Sequence, residues 1–134
     1  MSKFNTMSEY SKIIKVDSEQ GIVYGWAIVS KIDGEEYFDL QDEHIPETIM
    51  LKATSDFMHD VRSIKNMHMG EDTGIVVHSF PMTKEIKKSF GIECSYTGWM
   101  VGVKPMSKET LDKFKKGIYT GFSIGGIGTT EEVG

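Results

Sequence analysis

Apolar and polar positions along this chain change period repeatedly, and the changes mark out its elements. Gly21 to Ser30 reads GIVYGWAIVS, a β-branched and aromatic run with apolar residues on both faces, which predicts a strand. Lys12 to Val16 reads as a short edge strand before it. The Asp33-Gly34 pair signals a hairpin, with Glu36 to Asp39 as the returning strand. After Pro46, a residue suited to a first helical turn, Ile49, Ala53, Phe57, Val61 and Ile64 recur at helical spacing. That stripe predicts a helix from Pro46 to Lys65 that packs Ile49, Ala53, Phe57 and Val61 inward.

Asn66 to Met69 and Ile75 to Phe80 then read as strands flanking a GEDTG turn, Gly70 to Gly74. A short helix is expected over Thr83 to Phe90, capped near Met82-Thr83 and stopped by Gly91. Ile92 to Lys104 is a long strand with a bulge signal at Gly98. Ser107 is a fitting N-cap for a helix through Lys116, with Leu111 and Phe114 inward and Gly117 as its terminator. Ile118 to Gly126 is the last strand. Several strands follow one another without intervening helices. The expected class is therefore α+β, a bent, mostly antiparallel sheet or small barrel flanked by two or three helices, in a single domain spanning 1–134. Residues 1–11 and 127–134 are polar and are expected to be flexible ends.

Composition narrows the chemistry. The chain has 134 residues with fifteen basic and twenty acidic side chains, a net charge of −5. Arg62 is its one arginine, so nucleic acid is not an expected partner. No apolar run approaches the roughly 18–20 residues of a membrane span, and no membrane association is expected. Cys94 is the single cysteine, which excludes an internal disulfide and a cysteine-based zinc site.

Candidate chemistry centres on two places. GFSIGG, Gly121 to Gly126, sets Ser123 among glycines whose amides can line an anion site. The letters fit Gly-x-Ser-x-Gly, but no helix follows, which argues against an α/β-hydrolase. The serine needs a base, and four histidines are available: His44, His59, His68 and His78. His44 lies in a charged loop, and His59 falls on the polar side of the Pro46–Lys65 helix. His68 and His78 lie ten residues apart around the turn, so a hairpin of Asn66–Met69 with Ile75–Phe80 would put both on one face. From spacing alone they could equally be ordinary histidines. A metal site lacks a third ligand of known proximity. Tyr24, Trp26, Tyr96 and Trp99 are expected in the core.

In order along the chain, GIVYGWAIVS, YFDLQDEHIP, RSIKNMH, GIVVHSF, TGWMVGVKP and KKGIYTGFSIGG resemble the phage serine proteases of the XkdF type. These are relatives of tailed-phage prohead maturation proteases and of the herpesvirus assemblins. The resemblance covers roughly Gly21 to Gly126. It implies an assemblin-like bent barrel and a capsid-maturation endopeptidase that needs no metal or other cofactor. Ser123 matches the nucleophile and His68 the general base. Many relatives carry an acid at the place of His78; His78 is expected to be the third member and to orient His68, with the turn carboxylates Asp72 and Glu71 as the fallback. Backbone amides of Gly125 and Gly126 are candidate oxyanion donors, with Arg62 as another source of positive charge. Implied partners are phage scaffold and capsid proteins in the host bacterial cytoplasm, inside assembling proheads, with a homo-oligomer left open. The alternative is a catalytically impaired module on the same fold that binds scaffold.

Overall fold

The computed structural model describes residues 13–39, 42–60, 63–65 and 72–124. The expected flexible ends, 1–11 and 127–134, lie outside them. Among the described residues seven strands form one sheet: β1 (Ile13–Asp17), β2 (Ile22–Ile32), β3 (Glu35–Glu36), β4 (Ser63–Lys65), β5 (Asp72–Met82), β6 (Tyr96–Pro105) and β7 (Ser123–Ile124). Their order is β1-β2-β6-β5-β4-β7, with β3 paired to β2, and every pairing is antiparallel. Three helices among the described residues flank the sheet: α1 (Glu47–Asp60), α2 (Lys84–Phe90) and α3 (Lys108–Lys115). The fold is the expected α+β class with a bent antiparallel sheet. The bend brings the two ends of the sheet together. Just before β7, the Thr120 carbonyl accepts the N–H of Ile13 in β1 at 3.2 Å.

Local signals place most boundaries. Asp33 and Gly34 both have positive φ, 54° and 81°, as a two-residue type I′ hairpin requires. The returning strand is shorter than expected. Only Glu35 and Glu36 pair, and the chain then lays Tyr37 over Trp26 and Val29 on the outer face of the sheet. Thr83 caps α2 by accepting the Ile86 amide at 3.1 Å. Gly91, at φ 70°, ends that helix in a Schellman arrangement, with the Ile92 amide donating to Lys87 O at 2.9 Å. Ser107 caps α3 by accepting the Thr110 amide at 3.1 Å.

Helix α1 departs from the sequence reading in two ways. It stops at Asp60, and Ser63–Lys65 forms β4 instead of a last helical turn. Its buried face is Met50, Thr54 and Phe57, while Ile49 is exposed. Thr54 can join an apolar face because its hydroxyl donates to the Met50 carbonyl at 2.9 Å, which satisfies the only polar group it brings. Met50 and Thr54 thus replace Ile49 on the inward face, Phe57 and the partly buried Ala53 pack there as expected, and Val61 lies outside the described residues.

On the inner face of the sheet, Val23, Ile28, Val76, Trp99, Val101 and Val103 form the main core with Met50 and Phe57 of α1 and Phe114 of α3. Leu111 packs against it, so α3 presents the face its sequence predicts. Phe57 meets Trp99 edge-on, with ring centroids 5.3 Å apart. The fully buried Trp99 indole donates to Ser79 Oγ at 2.9 Å. The Gly98 bulge signal corresponds to register shifts in the facing strand, between Trp26 and Ile28 and between Val29 and Lys31. A Cβ on Gly98 would lie in hard contact with the Ile28 carbonyl oxygen and 2.9 Å from Val29 Cα, so the two backbones approach too closely there for any side chain.

Candidate active site

Strand β4 is the element on which the candidate site turns. It lies between β5 and β7, with Ser63 opposite Ile75, Ile64 opposite Gly74 and Lys65 opposite Asp72. On its other side Ile64 faces Ile124, and Lys65 faces Ser123. Asp72, Lys65 and Ser123 therefore form one row across three strands. At the usual strand spacing, the Ser123 and Asp72 Cα positions are roughly 10 Å apart.

This ladder corrects three expectations. The strand that pairs with the start of β5 is Ser63–Lys65, and the strand expected over Asn66–Met69 lies outside the described residues. The stretch read as the GEDTG turn is partly strand, since β5 begins at Asp72. The last strand is limited to Ser123–Ile124 among the described residues, because Tyr119 and Phe122 turn into the core beside Phe114. The long strand also begins late, at Tyr96, after a loop from the end of α2.

Of the expected site residues, Ser123 and Asp72 fall in strands, at the register positions just given. His68, Glu71, Arg62, Gly125 and Gly126 lie outside the described residues. His78 is placed differently from the hairpin expectation. Its Cα partner is Gly102 of β6, and it stands along β5, roughly 15 Å from the Asp72–Lys65–Ser123 row at about 3.4 Å per residue with bulges allowed for. Its ring is exposed on the outer face of the sheet. It stacks on Tyr24 at 5.8 Å and on Phe80 at 6.3 Å between centroids.

The other histidines have local partners. His44, expected in solvent, is mostly covered, its side chain 13% exposed. Its Nδ1 lies 2.9 Å from the Tyr37 carbonyl, which only accepts, so Nδ1 carries the proton. His59 is exposed, and its hydrogen bond to Asp60, reinforced by that carboxylate's charge, raises its pKa above the ordinary imidazole value. No group of three metal-ligating side chains occurs among the described residues.

Sequence reasoning missed Lys65, the residue that joins Ser123 and Asp72 in one row. Val61 and Ile64 continue the helical spacing of α1, and that masked the start of a strand.

A curled antiparallel sheet with a serine in a short strand beside a central ladder is an arrangement a hydrolase can use. The chain belongs to the family described as "Putative phage serine protease XkdF", whose model matches residues 9–132. No curated protein and no solved structure matches it.

Proposed function

We propose that this phage serine protease family member is an endopeptidase that cleaves scaffold and capsid protein segments as the phage head assembles. The observation that carries the reading is the pairing of Lys65 with Ser123. It supports a shared site, because His68 follows Lys65 by three residues and so lies within about 11 Å of chain from it. Ser123 Oγ attacks the scissile carbonyl while neutral His68 takes its proton. His68 then protonates the leaving amine, and water repeats the cycle on the acyl-enzyme. Amides of Gly125 and Gly126 would hold the oxyanion. Asp72 is the better third member, since it shares the row with Ser123 and His78 does not. A carboxylate also stabilises the imidazolium more effectively than a second imidazole. The substrates are locally unfolded segments, met inside proheads in the host cytoplasm. Kinship with the assemblins belongs to the same proposal.

Incubation of the chain with the purified scaffold of its phage tests this reading. The wild type is expected to truncate the scaffold and Ser123→Ala to leave it intact. Cleavage that persists in a folded Ser123→Ala variant removes the nucleophile. Scaffold that is bound but uncut by the wild type indicates the alternative, a non-catalytic binding module.

A further inference from the structure

We propose that the outer face of the sheet, around Tyr24, His78 and Phe80, docks an acidic peptide segment of a partner protein through apolar anchors. Helices α1 and α3 and the main core lie on the other face. One half of the outer face is already closed, where Tyr37 and Tyr96 cover Trp26. The other half is open: His78 is exposed, and Ile75 and Phe80 are 43% and 37% exposed. Its aromatic ridge is built across the middle strand. Tyr24 and His78 are both Cα partners of Gly102, and their rings meet above it. A Cβ at Gly102 would lie 2.7 Å from Tyr24 Cε1 and 3.1 Å from His78 Cβ, so the ridge depends on that glycine.

The charges that border the ridge select the occupant. Val16 and Val103 pack with the inner core, so strand alternation turns Lys15 and Lys104 to the outer face. Lys15 is the Cα partner of Tyr24, and Lys104 that of Ile75. Neither lies within ion-pair distance of a carboxylate among the described residues. The Lys104 ammonium donates to the Gln20 carbonyl at 3.0 Å, a neutral acceptor that leaves its charge uncompensated. Asp17, at the end of β1, accepts the turn amides of Glu19 and Gln20. A chain with net charge −5 thus keeps an aromatic surface bordered by unpaired cations, complementary to an acidic segment with apolar side chains. This surface lies apart from the Ser123 row and does not depend on the protease reading.

The test uses the full chain and a labelled synthetic peptide alternating glutamate with leucine and phenylalanine, read by fluorescence anisotropy. Controls are the same peptide with lysine for glutamate, and oligodeoxythymidine. The acidic peptide is expected to bind, more weakly at high salt. A Lys15→Glu/Lys104→Glu variant is expected to lose about tenfold or more in affinity, and Phe80→Ser a similar factor, each with an unchanged circular dichroism spectrum. Ile49→Ser, on the exposed side of α1, is expected to change nothing. If Phe80→Ser does not fold, the lysine variant alone decides. Equal binding of either control, or binding insensitive to the lysine variant, overturns the proposal. So does self-association lost in Phe80→Ser without peptide binding, which would make the occupant a second copy.

Discussion

Lys65 and Ser123 face each other across the β4–β7 ladder, although they are far apart in sequence. On its other side Lys65 faces Asp72. Two long-range pairings thus gather into one row the serine, the strand that leads to His68, and a carboxylate.

From this row we expect Asp72→Ala to lower scaffold cleavage by orders of magnitude, as loss of a triad carboxylate does. His78→Ala is expected to leave turnover nearly unchanged. Initial rates of the two purified variants decide the matter, and the reverse pattern would restore His78 as the orienting residue.

Phe57 is 2% exposed and packs edge-on against Trp99. Phe57→Ala should therefore cost about 3–5 kcal/mol, a large share of the stability of a domain this size. Urea unfolding followed by tryptophan fluorescence measures it. A loss below about 1 kcal/mol would mean that the cavity collapses without penalty.

Gly98→Ala puts a methyl group against the β2 backbone, which cannot rotate aside as a side chain can. The expected cost is at least about 1–3 kcal/mol, the range for overpacking a closed site. Thermal unfolding checks it, with Gly34→Ala as a comparison. Position 34 has open space around it and only the penalty of its positive φ.

His59 is hydrogen-bonded to Asp60, and its pKa is raised by that bond and by the carboxylate charge. A raised histidine pKa adds stability that is fully present below the unfolded-state value and lost as pH rises through the folded one. Histidine NMR titration should show the His59 midpoint moving down in Asp60→Asn. An unchanged midpoint would show that the pair does not persist in solution.

Much of the fold is legible in the sequence because its signals act over a few residues. Thr83 and Gly91 delimit α2, Ser107 starts α3, and Asp33-Gly34 turns the hairpin, each through local hydrogen bonds or a backbone angle. The β-branched and aromatic runs of β2 and β6 likewise mark long strands. On α1 the spacing identifies Phe57 and Ala53 as inward but not Thr54, which counts as polar until its hydroxyl is seen bonded to Met50. The sequence by itself determined these elements, the α+β class and a glycine-lined Ser123 as the candidate nucleophile. Only the tertiary structure decided that β4 runs between β5 and β7 and that His78 belongs to an aromatic ridge with Tyr24 and Phe80. Such neighbours are fixed by backbone pairing between distant segments and by the burial of whole faces, neither of which leaves a pattern in any short window of the chain.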